Sequence, residues 1–592
     1  MHPLEVQFQQ ARELLRAGRA AEAEVVLRRL QKRAPNEPLT QSQLARALAK
    51  QGRAVEARFF AERAGASKQP DAVEEAAYAL GELGDASGTI TLLERAVALN
   101  PMQASALCAL SIWLESVRRT DEAREMILRA HAAAPNDPGI TANAAMTLAD
   151  TWSLEDGLKL LRSAREKSPS ASSLRYALAY FANFSDRLNR EEVFAEHRRH
   201  AELLATRAPA VEPIRRPGAE DAERPLRVGL LSPDLRETAA VRFLEAIVRE
   251  HDPRSVRYAL YPLTSQRDQM SERLRGWSAE WSQAALQSDA RAIAAIRADA
   301  IDVLVDLCGL ARGFRAGILL GRAAPVQVTY LGYPNTTALP NVDVRLVDSI
   351  TDPPGAEAFC TERLVRMDPC FLCFSPSMAA ADNPPHAPAR DGPVTFGSFN
   401  HLTKITPTVL ELWTAIMKRV PDARLIAKAP ALASAGVRER FTSAAAASGW
   451  ADRLELLPPI SDLAEHHRAY HRVDIALDTF PYHGTTTTCD ALFMGVPVVS
   501  LLGDRHAARV GASLLSAAGV PELVAHTREE YVEKAVALAG SATKRSEYHA
   551  TLRARVAASP LGDARGFARR FESALRSIWR EAMAGGLAQA SS

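Results

Sequence analysis

The densest chemistry in this chain lies in residues 475–492, IALDTFPYHGTTTTCDAL. An apolar run ends at Asp478, a turn containing Gly484 follows, and four threonines, Thr485, Thr486, Thr487 and Thr488, open a predicted helix. A helix N-terminus offers unpaired backbone N–H groups and the positive end of the dipole. Threonine hydroxyls add donors, so the whole suits a diphosphate. Helix capping alone needs one hydroxyl, not four. Asp490 stands about one turn in, where a carboxylate can accept from ribose hydroxyls. A second stretch, 397–405 (GSFNHLTKI), follows another strand-like run and carries Lys404, a point charge able to meet a phosphate.

Other chemically capable side chains read more plainly. His466, His467, His471 and His483 cluster in sequence, and His467 and His471 are spaced i, i+4. Arg468 follows His467 where a zinc-protease helix needs glutamate, so no metal site is expected. Cys370 and Cys373 form a CxxC with Cys360 nearby, but no second pair stands at zinc-finger spacing. They read as thiols on or beside an apolar strand. Six cysteines over 592 residues are too few for a disulfide framework.

The elements that must position these residues alternate between strand and helix from residue 226 onward. Short apolar runs fall at 227–232, 257–262, 303–307, 326–331 and 344–347, then at 394–399, 424–428, 454–457, 475–477 and 496–501. Near-continuous apolar strands separated by helices predict parallel sheets covered on both faces. Two such sets predict two Rossmann-like lobes, at 226–374 and 392–580, with ligands at the carboxyl ends of the strands. Segments rich in proline, alanine and charge, at 207–225 and 375–391, read as linkers.

The first 206 residues have a different character, rich in Ala, Leu, Arg and Glu. Pro35, Pro70, Pro101, Pro135 and Pro169 recur in steps of 35, 31, 34 and 34 residues. That is the period of the tetratricopeptide repeat (TPR). Gly18, Gly52 and Gly84 stand 17 or 18 residues before a proline of this series, where the turn between the two helices of a repeat belongs. Arg118 and Trp152 take that place in the later units. Ala23, Val26, Leu27 and Leu30 fall on one helix face. About five repeats follow, with a capping helix near 173–206. Such a stack has no catalysis of its own; it presents a groove that holds a peptide or protein segment.

Composition narrows the class. With 72 basic and 70 acidic residues the net charge is +2, giving no footprint for nucleic acid or an anionic membrane. No apolar run approaches the ~18 residues that a transmembrane helix needs. The opening residues, Met1-His2-Pro3-Leu4-Glu5, lack the basic and apolar regions of a signal peptide, so a cytoplasmic home is expected.

Taken together, the chain resembles the TPR-linked protein O-GlcNAc transferases of the GT-B superfamily and their bacterial and plant relatives. The resemblance rests on Leu331-Gly332-Tyr333-Pro334, on Phe399-Asn400-x-x-x-Lys404-Ile405, on Leu477-Asp478-Thr479 with Gly484-x-Thr486-Thr487-x-x-Asp490, and on Ala508-Arg509-Val510-x-x-Ser513. It implies an α/β GT-B fold behind an all-α solenoid. The implied reaction is inverting, metal-independent transfer of a sugar to a protein hydroxyl, with no cofactor beyond the donor. It also implies that Lys404, Gly484, Thr486 and Thr487 hold the donor diphosphate, that Asp490 holds the ribose, and that His466 lines the base. His401 stands where the animal enzymes have a glutamine before the phosphate lysine.

Departures from the family pattern lie on the acceptor and base sides. A Ser-x-Asp-x-x-x-His pattern is usual after the first strand, and here Thr238 replaces the histidine, with Arg242 four residues on. A lysine expected near His466 is Leu463, and a bacterial Gly-His-Thr is Gly309-Leu310-Ala311. With the histidine gone, a general base is open among Asp234, Asp306, Glu237 and a donor phosphate oxygen. Asp234 and Asp306 also suit turn caps at strand ends. The donor is UDP-GlcNAc by family default, or a CMP-linked nonulosonate as in a flagellin glycosyltransferase of similar layout. A non-catalytic TPR scaffold is the alternative. Lys404, Thr486, Thr487 and Asp490 argue against it, since a dead site has no reason to hold all four in register.

Overall fold

A computed structural model describes residues 3–210, 212, 214, 223–384 and 392–586. Most of the linker expected at 207–225 and the end of the one expected at 375–391 lie outside the described residues. The chain divides into two compact units: residues 1–174 with 433–436, and residues 175–432 with 437–592.

The first unit consists of five helix pairs: Pro3–Arg16 with Ala20–Arg33, Pro38–Lys50 with Ala54–Gly65, Pro70–Glu82 with Ala86–Leu99, Ala104–Ser116 with Thr120–Ala133, and Pro138–Asp150 with Leu154–Lys167. Small side chains let the helices approach closely; Ala23, Ala45, Ala61, Ala76 and Ala96 have no exposed surface. One turn joins the helices in every pair. Gly18, Gly52 and Gly84 take φ of +75°, +75° and +76°, and Arg118 and Trp152 take +65° and +62°. In each turn the next residue's N–H reaches back to close the last helical turn, as from Arg19 to Leu14 O at 2.8 Å and from Arg119 to Leu114 O at 2.9 Å. The left-handed turn is therefore kept where the glycine is lost. Pro35, Pro101, Pro135 and Pro169 follow the second helix of a pair, whereas Pro70 is the first residue of the next helix, a place that needs no N–H donor.

The helices Ser172–Ala182 (from Arg175 on) and Arg190–Ala205 pack in the second unit, not the first. The reason is Tyr333. Its buried hydroxyl accepts from Asn183 Nδ2 at 2.7 Å and lies 2.8 Å from His197 Nε2, while its ring stacks 6.3 Å from Tyr180. Tyr333 of the Leu-Gly-Tyr-Pro motif thus fixes a helical collar to the first lobe.

The second unit holds two parallel sheets. The first has β1 (Leu226–Ser232), β2 (Val256–Pro262), β3 (Glu280–Trp281), β4 (Val303–Asp306), β5 (Val326–Thr329), β6 (Val344–Val347) and β7 (Arg363–Arg366), in the order β3-β2-β1-β4-β5-β6-β7. The second has β8 (Thr395–Ser398), β9 (Arg424–Lys428), β10 (Leu454–Leu457), β11 (Ile475–Leu477), β12 (Val498–Leu501) and β13 (Val524–Ala525), in the order β10-β9-β8-β11-β12-β13. Sequence patterning misses β3, β7 and β13, which are short edge strands. The strand order reverses between β1 and β4 in one sheet and between β8 and β11 in the other, the two places where such sheets bind ligands. The last helix, Ala564–Met583, returns to the first lobe: Phe571 lies 5.3 Å from the Tyr330 ring and Glu572 accepts from Asp252 N. No helix among the described residues is long and apolar enough to cross a membrane.

Candidate functional site

The site forms at the β8/β11 switch point. β11 ends at Leu477, and Asp478 fixes the turn beyond it. Asp478 Oδ1 accepts from Thr479 N at 2.9 Å and Gly484 N at 2.8 Å, and Oδ2 accepts from Ser500 Oγ at 2.6 Å. His483 is equally committed to structure: it is fully buried, Nε2 donates to Leu501 O and Nδ1 accepts from Gly511 N. Any side chain at Gly484 would collide with Thr487 Oγ1 at 2.4 Å and Thr488 Oγ1 at 2.8 Å. The helix then runs Thr486–Phe493 with Thr485 before it, so the free N–H groups belong to the threonine run. Thr488 Oγ1 caps back onto Gly484 O, and Thr487 Oγ1 donates to Asn400 Oδ1 at 3.0 Å. Thr486 lies on the open side, facing Ala239 of the first lobe.

Lys404 comes from the turn after β8 and reaches this corner. Its Nζ donates to His483 O at 2.8 Å and sits 4.3 Å from the centre of the Tyr482 ring, which stacks on Phe184. Burial lowers its pKa to about 8, against the pull of Asp478, so it is still mostly charged at neutral pH. An ammonium beside helix N–H groups has the chemistry to meet phosphate oxygens. His401, at the start of the same turn, is exposed, and its carbonyl accepts from Lys404 N.

A second cluster lies alongside. His466 Nδ1 is 2.6 Å from Lys428 Nζ, and Lys428 also sits 4.9 Å from the Phe399 ring centre. His467 fixes its Nδ1 on Leu463 O and turns Nε2 to within 3.6 Å of Asp490 Oδ1. Tyr470 packs edge-on to His466 and 4.6 Å from Phe399. Burial and then the Lys428 charge push His466 down to about 3, while burial lowers Lys428 to about 8. His466, His467 and Asp490 bring ligand atoms within 4.8 Å of one another, but the Lys428 ammonium already places a positive charge there. The arrangement is a half-polar cluster walled by aromatic rings, a chemistry suited to a nucleoside. Nothing local in the sequence singles out Lys428. It supplies, from the end of β9, the lysine that Leu463 withholds near His466; no local spacing announces it.

The β1/β4 switch point differs. Asp306, at the end of β4, is buried and spends its oxygens on its own turn: Cys308 N at 3.2 Å, Gly309 N at 2.9 Å and Thr329 Oγ1 at 3.2 Å. Burial raises its pKa to about 6. Asp234 is half-buried in the turn after β1, where its N–H donates to Ser232 Oγ. Burial raises its carboxyl above the ordinary aspartate value. Glu237 is paired with the buried Arg242. Cys370 and Cys373 are buried free thiols, both pushed up to about 12 by burial, and Cys370 Sγ accepts from Ser513 Oγ.

Between the lobes of this unit lies a cleft of about 180 Å³, lined by Ala239, Phe243, Leu331, Gly332, Thr486 and His506 among others. His506, also missed in the sequence, holds Nδ1 2.5 Å from Oδ2 of the buried Asp352.

The chain matches a family model, glycosyl transferase family 41, over residues 189–375 and 387–571. It is 40% identical over 367 residues to the probable UDP-N-acetylglucosamine–peptide N-acetylglucosaminyltransferase SPINDLY of Arabidopsis thaliana, a match covering 61% of this chain and 40% of that protein. The tomato (Solanum lycopersicum) protein of that name is 42% identical over 363 residues, covering 60% and 39%. The match therefore spans about two fifths of the length of these relatives. A solved structure of a Thermobaculum terrenum O-GlcNAc transferase, a lysine-to-methionine mutant, superposes with a TM-score of 0.82 at 31% identity, covering 88% of this chain and 99% of that one. The chain belongs to glycosyl transferase family 41.

Proposed function

We propose that this protein is an O-glycosyltransferase that moves a sugar from a nucleotide donor to a serine or threonine of a protein held by the helical-repeat unit. The observation that carries the reading is the corner where Lys404 meets the Thr485–Thr488 helix start. Charge on the leaving phosphate grows in the transition state, and fixed donors that meet it there accelerate transfer. Next to that corner, the cluster of Lys428, His466, Tyr470 and Asp490 has the chemistry to hold a nucleoside. The donor we assign is UDP-GlcNAc, in keeping with the names of the plant relatives, and the site works without a metal. Flagellin is the first acceptor to test.

The test is intact-mass analysis of candidate acceptors co-expressed with the chain and with its Lys404→Ala variant. A mass increase of one N-acetylhexosamine per site with the wild type alone is expected. No added mass on any acceptor, with UDP-GlcNAc bound and intact, would leave a nucleotide-binding scaffold. Deleting residues 1–171, which spares the Tyr333 collar, should keep UDP binding and lose modification of the whole acceptor. Equal modification by the truncated chain would remove the repeats from acceptor recognition.

A further inference from the structure

The proton of the acceptor hydroxyl needs a destination, and two of the three carboxylates read from the sequence are already committed elsewhere. Asp306 is consumed by its own turn, and Glu237 is paired with Arg242. The structure offers a different group. His506 lies in the short turn His506–Ala508 that follows β12. It lines the same interlobe cleft as Thr485, Thr486, Leu331 and Gly332. His483 N, in the phosphate turn, donates to Ala507 O at 2.9 Å, so the two turns are bonded to each other and keep a fixed separation.

The imidazole is oriented as a base must be. Nδ1 is held at 2.5 Å by Asp352 Oδ2, and Asp352 is itself buried beside Arg345, 3.6 Å away. A carboxylate on Nδ1 puts the proton there and leaves Nε2 as the acceptor. Among the described residues, Nε2 has no hydrogen-bond partner. The Phe371 ring packs edge-on at 5.0 Å and fixes the plane of the imidazole. The charged groups around the dyad are Arg345, Asp348, Arg190, Arg505 and Arg509. Burial and then Arg345 hold the imidazole below its ordinary pKa, against the pull of Asp352.

We propose that His506 is the general base of transfer and that Asp352 is its positioning residue. As the acceptor oxygen bonds to the anomeric carbon, its proton passes to His506 Nε2. The bond from that carbon to the donor phosphate breaks, its electron pair leaves with the phosphate, and Asp352 stabilises the imidazolium until the proton is released to water. This assignment rests on the transferase reading.

The experiment uses the full chain, UDP-GlcNAc and an array of serine- and threonine-containing peptides. His506→Gln should lose about 10²- to 10⁴-fold in single-turnover transfer, with UDP affinity within about threefold of wild type. Imidazole should restore part of the rate to His506→Ala, which a structural histidine would not show. The wild-type rate should fall on acidification, with a midpoint below histidine's usual value, and this limb should vanish in His506→Gln. A His506→Gln variant that binds UDP and transfers within threefold of wild type overturns the assignment alone. So does a wild-type rate that stays flat through the acid range, a measurement that needs no variant to fold. Wild type that labels no peptide brings down the transferase reading, and this assignment with it.

Discussion

The two lobes of the second unit are built on the same plan and put opposite things at the same place. In each, an aspartate follows or ends the strand at the switch point: Asp306 on β4 and Asp478 after β11. Each aspartate accepts from two N–H groups of its own turn. What comes next separates them. After Asp478 the chain enters a helix through four threonines, aiming free N–H groups at the cleft. After Asp306 it passes through Leu307, Cys308 and Leu310, all buried, and the next helix, Ala316–Leu320, starts ten residues on. A shared topology thus provides a place for a ligand, and the helix start with Lys404 gives one of the two places the chemistry that suits an anionic ligand. The first lobe contributes walls, such as Leu331 and Gly332.

The comparison breaks most sharply at Lys404. Lys404→Ala should cost at least about 10²–10³ in kcat, because it removes a charge that meets the leaving phosphate. Acceptor binding should be unchanged. Near-normal turnover would mean that the second lobe's switch point is as inert as the first.

Asp490→Ala should raise KM for the donor by roughly ten- to a hundredfold and leave kcat nearly alone. A hydrogen bond from ribose to a carboxylate is present in both the bound and transition states and is worth about 1.5–3 kcal/mol. The carboxylate also faces His467 at 3.6 Å, so a purely structural role is the rival. Titration of UDP alongside a thermal melt separates the two: unchanged affinity with a lowered melting point would remove Asp490 from the ribose.

The matched change in the first lobe, Asp306→Asn, should act on stability instead. An amide can keep one turn N–H but meets the other with its own donor, a loss of about 1–3 kcal/mol. UDP affinity and kcat, measured at a temperature where both proteins are folded, should stay within about twofold. A large fall in kcat with an unchanged melt would make the two switch points alike.

The smallest effect belongs to the repeats. Arg118 is exposed and holds a left-handed φ that glycine supplies elsewhere in the array. Arg118→Gly should relieve that strain and, after glycine's entropy cost, gain roughly 0.5–1 kcal/mol. Chemical denaturation of residues 1–171 would read this directly. A loss of stability would mean that the arginine side chain matters more than the turn.

Much of this protein is legible in its residues because the signals are local. The proline and glycine period gives the five helix pairs, since turn conformation is set by the few residues that make it. The apolar runs give both parallel sheets, and the Gly484-threonine turn announces itself because its donors are neighbours in the chain. Three parts were decided by tertiary structure. Lys428 meets His466 from 38 residues away, on a strand whose pattern says only that it is buried. His506 and Asp352 are 154 residues apart, and each alone looks like a loop residue. The helices at 172–205 continue the repeat in sequence yet join the second unit, because Tyr333 offers a buried hydroxyl that Asn183 and His197 can satisfy. Packing brought these groups together across the fold, and no spacing rule along the chain records a partnership that exists only through space.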